Sequence, residues 1–180
     1  VVITTGSTPK EKPFPGNYET PDVVNTWQVL NGEVETGPRV LLFDAHGHHQ
    51  GTGTAEFLAD QGKIVHMIVQ AFFPGAQLGP LQDLFLTRQR LEEKGVTHTS
   101  SIVVMDINGT VVKGLDVTSQ EMIDFDGFDT VVLCAGNTAK DELYFALKGQ
   151  VAEIHRAGDC VAPRLTDMAI KEGHCVGKLL

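Results

Sequence analysis

Residues 38–70, PRVLLFDAHGHHQGTGTAEFLADQGKIVHMIVQ, constrain the fold of this chain more than any other stretch. An apolar run from Val40 to Phe43 leads into a Gly- and His-rich turn, an amphipathic segment and a second apolar run from Ile64 to Val69. That order is the β-turn-α-β opening of a parallel, nucleotide-binding sheet. Within the helical segment Thr52 or Thr54 is placed to cap, Ala55, Leu58 and Ala59 supply the packed face, and Gly62 closes the helix. The turn departs from what a dinucleotide needs. The fingerprint reads G-x-G-x-x-G, the first glycine for a tight turn and the second so that backbone can approach the pyrophosphate. With Gly51 as the third glycine, the first two positions hold His46 and His48, whose side chains then stand where the phosphates belong. The second run should also end in an acid for the ribose hydroxyls, or have an Arg nearby for a 2′-phosphate. It ends Ile68-Val69-Gln70. The stretch reads as a dinucleotide fold without its dinucleotide.

A chain of 180 residues suits one domain or two small ones, with length enough to bury a core. Its net charge of -9, without a Lys/Arg cluster, argues against nucleic acid or an anionic membrane as partner. No apolar run approaches the roughly 20 residues of a membrane-spanning helix. Three cysteines, Cys134, Cys160 and Cys175, lack C-x-x-C spacing, which favours reduced thiols in a cytoplasmic setting over a disulfide frame or cysteine-bound metal. No charged segment followed by a signal-type apolar core opens the sequence. Instead Val1-Val2-Ile3 begins directly as a buried strand without a Met, and the expectation is an excised piece of something longer.

Taken in order, Val1 to Pro9 reads as a β-branched strand ending in a Gly turn, residues 10–22 as a surface linker, and residues 23–31 as a short helix or turn. After the central unit, residues 71–80 form a loop. Residues 81–94 form an amphipathic helix with Leu81, Leu84, Phe85 and Leu91 inward and Gly95 as its stop. Strand-like segments follow at 97–106, 110–114 and 121–125, the first pair joined across Asn108-Gly109, a hairpin signal. Then V-V-L-C-A-G-N-T-A (residues 131–139) restates V-V-I-T-T-G-S-T-P (residues 1–9). Two copies of one strand-to-loop element imply two similar nucleotide-type domains. Only the second copy has its own first strand and Gly turn upstream, so the first copy's missing half should lie before Val1. The tail holds a strand at 153–157, a Gly158-Asp159 turn and a helix at 165–179, which would complete the first domain. The expected division is therefore 1–37 as a partial domain with its linker, 38–138 as the inserted domain, and 139–180 as the return.

The tail string A-G-D-C-V-A-P-R-L-T-D-M-A-I-K-E-G-H (residues 157–174) is the most specific in the chain. A Gly-Asp between a buried strand and a helix lets a carboxylate and helix N-terminal amides meet a ribityl or ribose hydroxyl and a phosphate. With both strand-loop copies and D-A-H-G-H-H-Q-G-T-G-T-A-E-F-L-A, the sequence resembles, over essentially its whole length, the C-terminal region of the trimethylamine dehydrogenase and 2,4-dienoyl-CoA reductase family of flavoproteins. The resemblance implies an α/β fold with Rossmann-like parallel sheets of the FAD/NAD(P)-binding type. It implies, outside this chain, an N-terminal barrel carrying FMN and a 4Fe-4S iron–sulfur cluster, with the catalytic residues there and none here. By position, Thr5, Gly6, Gly158 and Asp159 match the family's FAD or ADP site, and His46, His48 and Gly51 fall on the inserted domain's glycine-rich turn. That turn is closer to the amine dehydrogenase branch, whose inserted domain carries no nicotinamide, and argues against NAD(P)H. Expected partners are the missing barrel, an electron-transfer protein and a second copy of the intact protein.

Each reading has a plainer rival. A metal on His46, His48 and His49 is set against a structural turn with solvent-facing imidazoles, because the spacing is wrong for a ligand set. Backbone amides at the helix start could still accept a phosphate. Gly158-Asp159 is set against a simple helix cap. Cys134 reads as core rather than nucleophile, no His being placed to activate it, and Cys160 as partly exposed. Trp27 and Phe72-Phe73 read as packing residues or contacts to the barrel. Three functions stay open: a structural or nucleotide-binding part of a flavin-dependent amine or enoyl oxidoreductase, a working NAD(P)H module of an enoyl-type reductase, and an interaction domain of a non-enzyme.

Overall fold

The computed structural model describes residues 1–18 and 20–180. Glu19, within the expected linker, and the side chain of Leu81, expected inward, lie outside the described residues. In chain order the elements are β1 (Val2–Ile3), β2 (Ser7–Pro9), β3 (Gly16–Asn17), β4 (Val23–Asn25), α1 (Thr26–Leu30), β5 (Arg39–Asp44), α2 (His49–Asp60) and β6 (Ile64–Val69). A 3-10 turn (Ala76–Leu81), α3 (Leu84–Glu93), β7 (Thr97–Thr99), β8 (Ile102–Asn108), β9 (Val111–Asp116), β10 (Met122–Phe125) and β11 (Thr130–Cys134) follow. The chain ends with β12 (Asn137–Ala139), α4 (Glu142–Leu147), β13 (His155–Arg156), a second 3-10 turn (Gly158–Cys160) and α5 (Thr166–Gly177). Two compact units result: Glu11–Ala135, and Val1–Lys10 with Gly136–Leu180.

The larger unit is built on a five-stranded parallel sheet in the order β4-β11-β5-β6-β7. Strand β5 is buried from Val40 to Asp44 because both of its faces are covered, as its unbroken apolar run requires. Val40 and Leu42 face one core with Ala55, Leu58 and Leu91 of the helices. Leu41 and Phe43 face a second core with Ile102, Ile107, Val112 and Phe125. That second core is closed by a four-stranded sheet in the order β10-β9-β8-β3. The result is a three-layer α/β/β sandwich, the Rossmann-like class read from the sequence.

Several boundaries differ from the sequence reading. The compact units divide at 10/11 and 135/136, where the sequence reading set domain edges at 37/38 and 138/139. Val23–Asn25 forms a strand in parallel register with Val131–Leu133, and Gly16–Asn17 pairs with Ile107–Asn108, which builds the expected linker into the sheets. Phe14 packs edge-on against Phe43, ring centroids 5.1 Å apart. Within residues 23–31, read as a short helix or turn, a helix starts at Thr26, where Asn25 and Gln28 form a capping box. The strand expected at 97–106 is cut at Ser101, whose φ of 61° turns the chain from the parallel sheet into the antiparallel one. Register places the hairpin loop at Gly109-Thr110, one residue later than Asn108-Gly109. On α3 the buried positions are Thr87 and Leu91, in phase with half-buried Leu84; Phe85, a further 100° round the helix, is 81% exposed rather than inward.

In the smaller unit β1 and β13 pair in parallel and the two related loop copies pair with each other, Ser7–Pro9 running antiparallel to Asn137–Ala139. Cys160, expected partly exposed, is fully buried, and its thiol donates to the carbonyls of Ile3 (3.2 Å) and Ala157 (3.3 Å). Among the described residues no helix is long and apolar enough to cross a membrane.

Candidate functional site

Each unit holds one of the two places singled out by sequence. In the larger unit the crevice outside the carboxyl ends of β5 and β11 is the topological switch point, because the chain leaves β5 toward β6 on one side and β11 lies on the other. Asp44 and Cys134 are register partners at those two strand ends. The Asp44 side chain turns back on its own turn: Oδ1 accepts the amides of His46 (2.9 Å) and Gly47 (3.0 Å). Its other oxygen, Oδ2, is buried without a hydrogen-bond partner. Burial pushes the Asp44 carboxyl upward against those two amide donors, and burial first, then the adjoining carboxyl, pushes the Cys134 thiol well above its ordinary range. Cys134 is thus a buried residue of the core, with its thiol form favoured.

The three histidines behave differently from one another. His46 is exposed. His48 precedes α2 in extended conformation without a side-chain cap, and its carbonyl accepts the Thr52 amide and hydroxyl. His49 starts the helix and faces Asp83, Nε2 to Oδ2 3.3 Å. The cap expected from Thr52 or Thr54 does not form; both threonines are buried inside the helix and bond back to the carbonyls of His48 and Gln50. Gly51 lies on the Asp44 carboxyl so closely that a Cβ there would overlap its carbon and both oxygens. The 3-10 turn covers the loop from outside, Gln77 N–H donating to Gly47 C=O at 3.0 Å and Leu78 fully buried. The exposed His46 side chain leaves the turn amides to another group. Asp44 holds those amides, and the sequence reading missed it. Among the described residues no cluster of His, Cys, Asp and Glu is arranged to hold a metal.

In the smaller unit a cleft of about 450 Å³ is lined by Thr4, Gly6, Gly158, Asp159, Arg164 and Ala169, among others. Gly158 adopts φ 79°, a conformation that glycine takes without strain, and this turns the chain from β13 into the 3-10 turn. Its amide donates to Glu172 Oε2 at 2.9 Å. Asp159 Oδ2 accepts the Ser7 hydroxyl at 3.0 Å and Oδ1 accepts the Arg164 amide at 3.3 Å. Ser7 in turn accepts from the Asn137 amide group at 2.9 Å, which ties both loop copies to the carboxylate. Arg164 pairs with Glu172, and that guanidinium with the Gly158 amide holds the Glu172 carboxyl below its usual range.

Of the residues expected here, Gly6, Gly158 and Asp159 line the cleft and Thr5 does not. The Thr5 hydroxyl donates to Lys140 C=O, and Thr4 takes its place on the wall. Ser7, Asn137, Arg164 and Glu172 went unread. All four stand inside the quoted strings, but only pairing across the fold sets Ser7, and through it Asn137, on the Asp159 carboxylate. An ionised carboxylate has about four acceptor sites, and each Asp159 oxygen uses one, which leaves room for a ligand hydroxyl. The residues fit the ribose or ribityl hydroxyls of ADP or FAD, with Asp159 as acceptor and Gly158 permitting close approach.

No family model matches the chain. It is 30% identical to an N,N-dimethylglycine/sarcosine dehydrogenase of Chromohalobacter salexigens, across 94% of this chain and 30% of that protein. To a probable N-methylproline demethylase of Rhizobium meliloti it is 29% identical, across 94% of this chain and 29% of that protein. The chain spans less than a third of these relatives. The solved histamine dehydrogenase of Rhizobium sp. 4-9 superposes with a TM-score of 0.92 over 99% of this chain and 28% of that one, at 20% identity, a likeness of fold.

Proposed function

We propose that this chain, whose resemblance to the trimethylamine dehydrogenase and 2,4-dienoyl-CoA reductase family its relatives bear out, is the nucleotide-fold part of a flavin-dependent oxidoreductase that acts on a methylated amine. The observation that carries the reading is Asp159 at a Gly-Asp turn, held by Ser7 with acceptor capacity to spare, in a chain similar along 94% of its length to a dimethylglycine/sarcosine dehydrogenase. In this reading the cleft of the smaller unit binds ADP or FAD, and the larger unit is structural. Bound FAD would supply an electron relay, whereas ADP would supply only binding energy. Asp159 accepts a hydroxyl and the left-handed Gly158 lets the ligand approach the backbone. Amine oxidation itself is assigned to a barrel outside these 180 residues, which would hold FMN and a 4Fe-4S cluster, with an electron-transfer protein as partner. The intact protein self-associates, and the setting is cytoplasmic.

Calorimetry with ADP, FAD, NADH and NADPH tests this. Micromolar binding of ADP or FAD, weakened about tenfold or more by Asp159→Asn, is expected, a loss of about 1.4 kcal/mol or more. Binding of NADH or NADPH at that strength would move the protein to the reductase reading. Absence of all four would remove the nucleotide role.

A further inference from the structure

The switch-point crevice of a doubly wound sheet is where a nucleotide's phosphates ordinarily meet turn amides and a helix start. Here the groups that would do that work are already engaged. We infer that the Asp44 carboxylate is a built-in substitute for the nucleotide phosphate, and that it keeps anions out of the larger unit. The inference rests on the proposed reading, in which that unit carries no nicotinamide, and supplies its physical cause.

Three observations converge. The amides of His46 and Gly47, the first free donors after β5, both point to Asp44 Oδ1 at 2.9 and 3.0 Å. An anion arriving at this turn finds those donors taken, and meets a like charge in a site with 1% of Asp44 exposed. Asp44 Oδ2 is fully buried beside the Cys134 thiol and takes no donor from the turn, so the carboxyl is shut off from solvent. Finally, Gly51, in the first turn of α2, has no side chain, and the carboxyl fills the space a Cβ would need. The glycine of the fingerprint that lets strand and helix approach one another is retained. What it admits is a side chain of the same chain. The Gln77 bond to the Gly47 carbonyl closes the turn from outside.

The test compares the wild-type protein, with its whole chain, against Asp44→Gly and Asp44→Asn, by calorimetry with inorganic pyrophosphate and with NADH. Asp44→Gly frees both amides and removes the charge; Asp44→Asn removes only the charge. Pyrophosphate binding at least about tenfold tighter in Asp44→Gly than in wild type, with Asp44→Asn between them, is the expected result. Hydrogen exchange at the His46 and Gly47 amides should accelerate in Asp44→Gly and slow again with pyrophosphate. A folded Asp44→Gly that binds no better than wild type overturns the inference and leaves the proposed function standing. NADH binding by the wild type overturns both. If Asp44→Gly does not fold, Asp44→Ala carries the same comparison, and equal binding by Asp44→Ala and wild type overturns the inference.

Discussion

Gly51 and Asp44 act as a pair, and the consequence is measurable at single-residue level. Because a Cβ at Gly51 would overlap the Asp44 carboxyl, Gly51→Ala should cost about 1–3 kcal/mol as an overpacking change. In an Asp44→Ser background the same substitution should cost much less. Urea midpoints of the four proteins of that cycle give the answer, and simple additivity would mean the two residues do not press on each other. His66 offers a second residue-level test. Its ring is held between the Thr97 and Thr99 hydroxyls at 2.8 and 3.0 Å and lies near Phe125 and Phe128. Burial, and then the charge of His98, hold its pKa below the ordinary 6.5. The unfolded chain therefore takes up the proton first. The stabilisation is complete above pH 6.5 and is lost as pH falls from there through the folded value. His66→Gln should flatten the slope of the urea midpoint below that pH, and an unchanged slope would assign it to another group.

Elements differ sharply in how much packing they supply. Leu42 on β5 is wholly buried in the helix-side core, and Leu42→Ala should cost about 2–5 kcal/mol. Ile170 on α5 is 68% exposed, and Ile170→Ala should stay within about 0.5 kcal/mol. Thermal denaturation of the two variants side by side tests the contrast. A large loss at Ile170 would show that α5 is covered in the protein as it occurs. The periodicities of β5, α2 and β6 were legible in the sequence, since an apolar run between Gly-rich turns and a helix-phased segment need no partner to be recognised. The phase of α3 was not. Leu84, Phe85, Leu86 and Leu91 leave two faces open, and contact with α2 chose the one that exposes Phe85.

For the molecule as a whole, both hydrophobic cores of the larger unit are made entirely of residues within 11–135. A piece of those residues alone should fold and unfold cooperatively in urea, whereas a piece cut at the boundary read from sequence, 38–138, lacks β4 and α1 and should be less stable. A higher midpoint for 38–138 would restore the earlier boundary. The sequence by itself determined the βαβ centre, the repeated strand-to-loop element, the Gly-Asp turn and the likeness to a flavoprotein family, because each is written in contiguous residues. Tertiary structure alone decided that Val23–Asn25 is a sheet strand, that Ser7 and Asn137 anchor Asp159, that Thr5 faces away, and that Asp44 rather than a histidine occupies the turn amides. Those outcomes depend on pairings across tens to more than a hundred residues, and on which oxygen of a buried carboxyl finds a donor. Local propensity and spacing carry neither.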